Sequence, residues 1–475
     1  MTLFRYLGYT KLMFTDDTIA AISTPLGEGG IGIVRLSGRD SLQIAERIFL
    51  SPRNRFLRDL KSYRVSHGYI NDPVTGKKID EVLVSVMRSP HSYTKEDVVE
   101  INCHGGMITL RKVLEIVLKQ GARLADPGEF TKRAFMSGRI DLSQAEAVID
   151  LIRSRTDESR RIAIEQLQGG LSEKITALRD RLVDICANVE AYIDFPEDEI
   201  ETAAKLELLE SMKEIGKQLR RLLKTYDEGR FFREGLSTAI VGRPNVGKSS
   251  LLNALLGRER AIVTEMPGTT RDVIEESLNI NGLPLRIMDT AGIRDVKDIA
   301  EKEGVKRSLR SMENADLVIA IFDQSEPLGR EDFEVIEKIK EKNTIAVMNK
   351  CDLRSGFDES ILLSQLARDA SHVLRISASR GDGLEELKDV IFNSCLRDWK
   401  EEREGVVVTN IRHKTSIGNA LTSLEKAGYV LTENQPVEIL ALELRDSMDR
   451  LGEIVGIVTT EDILNKIFSD FCIGK

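Results

Sequence analysis

An octapeptide in the middle of the chain reads Gly242-Arg243-Pro244-Asn245-Val246-Gly247-Lys248-Ser249. It fits the pattern G-x-x-x-x-G-K-[ST], in which the glycines let a loop curl until its backbone N–H groups point at phosphates. In this pattern Lys248 reaches the β- and γ-phosphates and the Ser249 hydroxyl binds Mg²⁺. An apolar run at residues 238–241 precedes the loop, and a helix-forming run at 250–256 follows it. This context predicts a phosphate-binding loop between a strand and a helix.

Two further segments offer groups that recognise guanine. Asn349-Lys350-Cys351-Asp352 follows a predicted strand, and the Asp352 carboxylate can accept hydrogen bonds from guanine N1–H and N2–H₂. A site built to satisfy those donors rejects adenine, which lacks them. Ser377-Ala378-Ser379 can supply a backbone donor for guanine O6. Together with the phosphate loop, these segments predict that the bound nucleotide is GTP.

The residues expected near the γ-phosphate differ from those of Ras-like enzymes. Asp289-Thr290-Ala291-Gly292 would place Asp289 near Mg²⁺, and residues 268–272 (Gly-Thr-Thr-Arg-Asp) lie in a switch region where one Thr would close on Mg²⁺. Ras-like enzymes carry a Gln after the first segment to orient the attacking water, whereas this chain has Ile293, which cannot form a hydrogen bond. Another group must therefore hold the water. Asn245 could hold a monovalent cation beside the β/γ bridge, or it could only tighten the loop.

Composition and charge limit the class of protein. The chain has 475 residues, with 68 Lys and Arg against 77 Asp and Glu, and a net charge of −9. This acidity excludes a wholly basic nucleic-acid coat, although a local basic patch is compatible with it. No uncharged apolar run approaches the about 18 residues of a membrane span, so we expect no membrane association. Five separated cysteines without a C-x-x-C pair favour a reducing cytoplasm.

The length predicts about three domains, and the periodicity changes along the chain. Residues 17–138 mix β-rich with helical runs, and residues 142–226 repeat apolar side chains at helical spacing. From residue 236, apolar runs at 238–241, 285–288, 317–322, 344–348 and 373–376 alternate with helices in the manner of a parallel sheet. The chain is helical again after Trp399. We therefore predict an α/β domain at 13–138, a helical domain in two parts at 139–230 and 397–475, and a nucleotide domain at 231–396 inserted into it.

A second glycine-rich segment, Gly27-Glu28-Gly29-Gly30-Ile31-Gly32, satisfies the dinucleotide pattern G-x-G-x-x-G. A dinucleotide site needs a helix directly after the glycines, so that the pyrophosphate meets the helix N-terminus. Residues 33–36 (Ile-Val-Arg-Leu) are instead typical of a strand. The segment is therefore predicted to be a turn between two strands, and we reject an NAD site here.

Several motifs outside the nucleotide site are more specific. They are residues 30–38 (GIGIVRLSG), 96–100 (EDVVE), 104–106 (HGG), 127–135 (PGEFTKRAF), 194–196 (DFP) and 471–475 (FCIGK). With the nucleotide motifs, this set resembles the tRNA modification GTPase family MnmE, also called TrmE, from about residue 17 to residue 475. The resemblance implies an N-terminal domain similar to tetrahydrofolate-binding domains, an all-helical domain, and an inserted Ras-like GTPase (G) domain with a mainly parallel sheet.

The resemblance also assigns roles in the nucleotide site. It implies that K⁺ is bound by Asn245, Thr264, Met266 and Thr269, and Mg²⁺ by Ser249 and Thr270. By residue type alone, Glu301 would be a solvated side chain of a charged helix, but the resemblance makes it the residue that positions water. Glu301, Lys248 and Thr270 are then the catalytic residues. The implied GTP-binding residues are Asn245, Val246, Gly247, Lys248, Ser249, Ser250, Thr264, Glu265, Met266, Pro267, Gly268, Thr269, Thr270, Asp289, Thr290, Ala291, Gly292, Asn349, Lys350, Asp352, Ser377 and Ala378.

A folate site is implied in the N-terminal domain, which the resemblance also makes the dimerisation element. Arg35, Glu100 and Arg139 match the folate-contacting positions, and Lys475 would join them from the C-terminal tail. A carboxylate such as Glu100 can accept paired N–H donors from a pterin ring, and cationic groups suit the glutamate tail of a folate. The cofactor would be 5-formyl- or methylene-tetrahydrofolate. Cys472 could lie near the one-carbon unit or could be buried between Phe471 and Ile473.

The resemblance implies a cytoplasmic, homodimeric, K⁺-dependent GTPase. With the flavoprotein MnmG, in a heterotetramer, it would install an aminomethyl-type or carboxymethylaminomethyl-type substituent on C5 of the wobble uridine of certain tRNAs. GTP hydrolysis would drive closing and opening of the G domains. The alternative is a ribosome-assembly or regulatory GTPase switch without tRNA-modifying chemistry, and the nucleotide motifs alone do not separate the two.

Overall fold

The computed structural model describes residues 17–53, 56–194, 202–259, 276–288, 312–340, 342–356, 359–366, 373–396, 405–433 and 435–475. Contacts between these residues divide the chain into two compact units. The first unit contains residues 17–149 and 455–475, and the second contains the described residues from 150 to 454. The division into three domains over the four segments 13–138, 139–230, 231–396 and 397–475 stays a prediction.

The described part of the chain contains both strands and helices. Its strands are β1 (Ile19–Ile22), β2 (Gly32–Ser37), β3 (Phe49–Leu50), β4 (Arg64–Asn71), β5 (Lys78–Met87), β6 (Val98–Cys103), β7 (Arg123–Leu124), β8 (Leu236–Val241), β9 (Glu276–Ile280), β10 (Leu283–Ile287), β11 (Leu317–Asp323), β12 (Thr344–Asn349) and β13 (Val373–Arg375). Its helices are α1 (Ser41–Ile48), α2 (Met107–Lys119), α3 (Glu129–Met136), α4 (Leu142–Arg153), α5 (Asp157–Leu167), α6 (Gly170–Asp194), α7 (Thr202–Glu234), α8 (Lys248–Glu259), α9 (Arg330–Ile339), α10 (Glu359–Leu366), α11 (Leu384–Cys395), α12 (Ile411–Thr432), α13 (Val437–Val455) and α14 (Glu461–Ser469).

The first unit is built on a seven-stranded sheet with the order β3-β4-β5-β6-β2-β1-β7. Its neighbouring strands are antiparallel except β1 and β7, which are parallel. Helices α1 and α2 pack on one face, where Val34 and Ile101 of the sheet meet Leu110 of α2. On the other face Ile19 packs against Phe130 of α3. Because alternate side chains of a strand point to opposite faces, this two-sided burial confirms the predicted mixed α/β character of the segment.

The glycine-rich segment at residues 27–32 joins two strands, as predicted. Strand β1 ends at Ile22, and β2 begins at Gly32 and runs antiparallel to it. Among the described residues, the next helix after the glycines is α1, which begins only at Ser41. The helix that a dinucleotide site requires is therefore absent from this position.

The last residues of the chain belong to the first unit. Phe468 and Phe471 pack with Leu142 and Leu464 in a small core around α14. An isolated β-bridge then joins Pro127 to Ile473. These contacts bring the segment after α14 to the same part of the sheet as the loop that precedes α3.

The second unit contains a six-stranded sheet with the order β13-β12-β11-β8-β10-β9. All neighbours are parallel except β9 and β10. Every residue of β8, β11 and β12 is buried, as expected for strands covered on both faces. The five predicted strands are confirmed as β8, β10, β11, β12 and β13. The mainly parallel sheet confirms the predicted α/β class.

Strand β9 was not predicted, because Glu-Ser-Leu-Asn-Ile is too polar to read as a buried strand. Among the described residues it is the edge strand of the sheet and pairs with β10 alone. Asn281 and Gly282 connect the two, with φ angles of +52° and +92°. An Asn-Gly pair with two positive φ angles is the favoured two-residue hairpin turn. This dipeptide was the signal in the sequence that could have located β9.

Helices complete the second unit. On α6 the predicted apolar face is confirmed, since Leu171, Ile175, Leu178, Leu182, Ile185 and Val189 are all buried. Helix α6 ends at Asp194, two residues before Pro196, which cannot continue a helix without losing a hydrogen bond. On α13, Leu440, Leu444 and Leu451 are buried in the same way. Among the described residues, no helix combines the length and the apolar character needed to cross a membrane.

Candidate guanine-nucleotide and folate sites

The predicted phosphate loop lies between β8 and α8, at the carboxyl end of the sheet. Its conformation depends on backbone angles that most residues avoid. Asn245 has a φ of +63° and Gly247 a φ of +104°. A Cβ atom on Gly247 would lie 2.1 Å from Nδ2 of Asn349. Only glycine therefore fits at position 247, as the G-x-x-x-x-G-K-[ST] pattern requires.

The ammonium group of Lys248 lies inside this loop. Its Nζ donates hydrogen bonds to the carbonyl oxygens of Gly242 and Arg243, each at 2.8 Å. Burial lowers the pKa of Lys248, while the charge of Glu331 acts in the opposite direction. Ser249 follows in the first turn of α8, and the N-terminal end of a helix favours an anion. The loop thus combines a cation with a helix N-terminus, as phosphate binding requires.

Asn349 connects the phosphate loop to both guanine-recognition segments. It is 2% exposed. Its Nδ2 donates to the carbonyl oxygen of Val246 at 2.8 Å, and its Oδ1 accepts from the backbone N–H of Ala378 at 3.0 Å. One side chain therefore fixes three loops relative to one another. The motif predicted a nucleotide-binding residue at this position, but not this connection.

Asp352 lies at the same edge of the sheet with its carboxylate partly covered. Its Oδ1 accepts from Oγ of Ser377 at 2.7 Å, and its Oδ2 lies 3.6 Å from Nε of Arg380. The hydrogen bond from Ser377 holds the pKa of Asp352 below its usual value. The structure thus joins the two predicted guanine-recognition segments through an ionised carboxylate, which can accept two N–H donors.

A second cluster forms in the first unit around Arg35 and Glu100. These residues are directly opposite each other on β2 and β6. Nε and Nη2 of Arg35 lie 2.9 and 2.8 Å from Oε1 of Glu100. Nη1 of Arg35 donates to the carbonyl oxygen of Gly474 at 3.4 Å. Burial and the charge of Arg35 lower the pKa of Lys475, while Glu100 opposes this. The structure therefore brings together three of the four predicted folate-contacting residues.

Arg139 contacts Tyr93, whose ring packs against the small core that contains Phe130. Its Nη1 donates to the backbone carbonyl of Tyr93 at 3.2 Å, and its guanidinium carbon lies 4.8 Å from the centre of the Tyr93 ring. Burial raises the pKa of Tyr93, and the charges of Arg139 and Arg35 partly offset this. The ring of Phe130 lies under Arg35 at 5.6 Å. Neither aromatic residue was predicted as a site residue: Phe130 stands inside the 127–135 motif, whereas Tyr93 had no local signal.

Comparison with known proteins places the chain in a family. Two family models match it: the GTP-binding protein TrmE N-terminus over residues 18–139, and the MnmE helical domain over residues 142–472. A tRNA modification GTPase MnmE from Alkaliphilus oremlandii is 47% identical over 463 residues, covering 98% of this chain and 100% of that protein. A protein of the same name from Clostridioides difficile is 48% identical with the same coverage. The chain belongs to the tRNA modification GTPase MnmE family.

One solved structure is similar to part of this MnmE-family chain, the G domain of the T. maritima FeoB iron transporter. The two sequences are 27% identical, and the match covers 33% of this chain and 96% of the FeoB chain, with a TM-score of 0.24. That TM-score is too low to bear on the fold, which rests on the order and direction of the strands in each sheet.

Part of the site predicted by the MnmE resemblance lies outside the described residues. These residues are Thr264, Glu265, Met266, Pro267, Gly268, Thr269, Thr270, Asp289, Thr290, Ala291, Gly292 and Glu301. The predicted K⁺ and Mg²⁺ ligands that the structure describes are Asn245 and Ser249, both in or beside the phosphate loop. The remaining ligand assignments and the catalytic assignments of Glu301 and Thr270 stay predictions.

Cys472 is the one cysteine of the MnmE-type C-terminal motif. It is exposed, while Cys103 and Cys186 are buried and all five cysteines of the chain are free thiols. Phe471 is 5% exposed and Ile473 is 50% exposed. Of the two alternatives for Cys472, burial between its neighbours is therefore wrong, because the residue is exposed. A role in one-carbon chemistry stays a prediction.

Proposed function

We propose that this chain is a K⁺-dependent GTPase that works with the flavoprotein MnmG to modify C5 of the wobble uridine of certain tRNAs. The substituent would be of the aminomethyl or carboxymethylaminomethyl type, with its carbon supplied by a tetrahydrofolate derivative. The observation that carries this proposal is that one chain contains both a guanine-nucleotide site and a separate Arg35–Glu100 cluster. A simple GTPase switch needs only the first of these.

In the nucleotide site, each described side chain has a role that its contacts support. Lys248 and the N-terminus of α8 would bind the phosphates, and Asp352 would accept the two N–H donors of guanine. Mg²⁺ would be bound by Ser249 and Thr270, and K⁺ by Asn245, Thr264, Met266 and Thr269. When bound, these cations would neutralise charge that develops on the phosphates. Glu301 would position the attacking water in place of the missing Gln.

The first prediction concerns the identity of the monovalent cation. We expect GTP turnover to be about 10-fold or more faster in K⁺ than in Na⁺ at equal ionic strength, because a cation of the right size would neutralise charge at the β/γ bridge. Asn245 fits such a role, since it lies exposed in the phosphate loop in the left-handed conformation. GDP affinity should be similar in both salts and serves as the control. Equal turnover in the two salts would count against a K⁺ site.

In the first unit, the cluster chemistry suits a folate. Both contacts from Arg35 fall on Oε1 of Glu100, so Oε2 is the acceptor that a pterin N–H donor can reach without displacing Arg35. Arg35, Arg139 and Lys475 together carry more positive charge than Glu100 offsets. The excess charge suits the carboxylates of a folate tail. The ring of Tyr93, beside Arg139, adds an apolar surface.

The second prediction tests this cluster directly. Arg35→Ala is expected to weaken binding of 5-formyl-tetrahydrofolate by about 10-fold or more, since hydrogen bonds from charged groups contribute about 1.5–3 kcal/mol. Calorimetric titration of the purified chain measures the change, and near-ultraviolet circular dichroism checks that the fold is intact. Arg58→Ala is the matched control, because Arg58 forms an exposed ion pair with Glu46 outside the cluster. Unchanged folate binding by a folded Arg35→Ala variant would overturn the assignment.

The proposed chemistry is tested by nucleoside analysis of tRNA from cells that lack this protein. We expect the wobble uridine of the substrate tRNAs to lose its C5 substituent, and the wild-type gene to restore it. A normal wobble-uridine profile would favour the alternative, a ribosome-assembly or regulatory GTPase.

The proposal also includes a homodimer through the N-terminal domain, a heterotetramer with MnmG, opening and closing of the G domains by GTP hydrolysis, and a cytoplasmic location.

A further inference from the structure

A partly buried ion pair crosses the carboxyl edge of the six-stranded sheet. Asp323 is the last residue of β11, and it is directly opposite Asn349 at the end of β12. Oδ2 of Asp323 lies 2.5 Å from Nζ of Lys350, the residue that follows β12. The side chain of Asp323 is 3% exposed and that of Lys350 is 32% exposed. The methylene stem of Lys350 therefore runs from the end of one strand to the end of the next.

The place of this pair in the sheet gives it significance. In the strand order β13-β12-β11-β8, the guanine-recognition segments follow β13 and β12, and the phosphate loop follows β8. Strand β11 lies between them. Ligands of open α/β sheets bind across the carboxyl ends of the strands. A nucleotide with its base at Asp352 and its phosphates at Lys248 must therefore pass over the end of β11, where Lys350 meets Asp323.

Further contacts fix the carboxylate of Asp323. Its Oδ1 accepts from the backbone N–H of Ser325 at 2.9 Å and from Oγ of Ser325 at 2.6 Å. The next residue, Gln324, donates its backbone N–H to the carbonyl oxygen of Asn349 at 2.9 Å. Burial acts to raise the pKa of Asp323, but hydrogen bonds from Lys350 and Ser325 bring it below its usual value. The carboxylate of Asp323 is thus an oriented anion: Ser325 holds its Oδ1, and its Oδ2 contacts Lys350.

Lys350 itself has an unusual backbone conformation. Its φ is +65°, in the left-handed region that residues other than glycine rarely adopt. Such a conformation persists when the surrounding contacts over-determine it, and it is found most often at ligand sites. The ion pair with Asp323 is one of the contacts that hold this residue.

We propose that Asp323 is a positioning residue for guanine-nucleotide binding, which holds the ammonium group of Lys350 so that the lysine stem supports the nucleoside between Asp352 and the phosphate loop. This inference rests on the proposed guanine-nucleotide site. Asp323 itself touches neither the base nor the phosphates in this arrangement, and it acts through Lys350. Its effect is therefore on the binding of GDP and GTP alike, and not on the hydrolysis step.

The test uses the purified full-length chain with fluorescently labelled GDP and GTP. Asp323→Asn is expected to raise the dissociation rate of both nucleotides, and the KM for GTP, by about 10-fold. The kcat should change less than about 2-fold, because the lost interaction is equally strong in the bound substrate and in the transition state. Ser325→Ala is the matched control, because it removes a hydrogen bond to the same carboxylate but leaves the ion pair; it should stay within about 2-fold of wild type. A dissociation rate unchanged in Asp323→Asn would overturn the inference.

A double-mutant cycle distinguishes positioning from general stabilisation. In a Lys350→Met background, Asp323→Asn should have no further effect on nucleotide dissociation, because its partner is gone; fully additive effects would overturn the inference. If Asp323→Asn does not fold, a comparison of Lys350→Met with Lys350→Ala tests the proposal instead. Both variants remove the ammonium group, but Met retains most of the lysine stem. Affinity should fall in the order wild type, Met, Ala, and equality of Met with either of the others would contradict the proposal. If the wild-type chain binds neither nucleotide, the proposed function itself fails.

Discussion

Replacing Asp352 by Asn is expected to lower the affinity of the chain for GTP by about 10³-fold, because two hydrogen bonds to an ionised acceptor, each contributing about 1.5–3 kcal/mol, are lost. The Asn amide nitrogen would also face guanine donors instead of accepting from them. The hydrogen bond from Ser377 survives, since an amide oxygen can replace the carboxylate oxygen that accepts it. The fold of the two guanine-recognition segments should therefore persist, and the loss should be confined to recognition of the base.

Displacement of fluorescent GDP by unlabelled GTP and xanthosine triphosphate measures this change. Xanthine carries a carbonyl oxygen where guanine carries its N2 amine, so the variant should gain affinity for xanthosine triphosphate as it loses GTP. Asp389→Asn is the matched control, because Asp389 is an exposed carboxylate that contacts Asn281 away from the nucleotide loops. An Asp352→Asn variant that still prefers GTP to xanthosine triphosphate would show that Asp352 does not read the base.

Gly247→Ala is expected to weaken binding of both GDP and GTP by about 100-fold or more. The added Cβ would be placed 2.1 Å from Nδ2 of Asn349, and the φ of +104° is itself strained for alanine, at a cost of about 1–3 kcal/mol. Asn349 cannot move aside freely, because it would lose its bonds to Val246 and Ala378, each contributing about 1 kcal/mol. The clash therefore disturbs the phosphate loop and the guanine-recognition segments together.

Fluorescent-nucleotide titration and thermal denaturation of the variant separate binding from folding. Gly257→Ala is the matched control, since Gly257 lies near the C-terminal end of α8, away from the loop, and a Cβ there meets nothing within 4 Å. That substitution should leave nucleotide binding unchanged and stabilise the helix slightly, by up to about 1 kcal/mol. Wild-type affinity in Gly247→Ala would mean that the loop adopts another conformation when it binds nucleotide.

Some features of the fold were predictable because their signals are local. The phosphate loop, the strands β8, β10, β11, β12 and β13, and the turn at residues 27–32 each depend on the order of a few neighbouring residues. Strand β9 was missed because an edge strand needs little apolar character, although its Asn-Gly turn was present in the sequence. For the switch segments and Glu301, the sequence remains the source of the assignment, since they lie outside the described residues.

The sequence by itself determined that the chain binds a guanine nucleotide and that it resembles the MnmE family, since both conclusions rest on short motifs in a fixed order. Only the tertiary structure decided which side chains meet. It showed Asn349 joining three loops, Asp323 holding Lys350, and Arg35 reaching Gly474, which is 439 residues away in the chain. Such contacts depend on the order of strands in a sheet and on the path of the C-terminal segment. Periodicity along one sequence records which face of an element is buried, but not which element lies beside it.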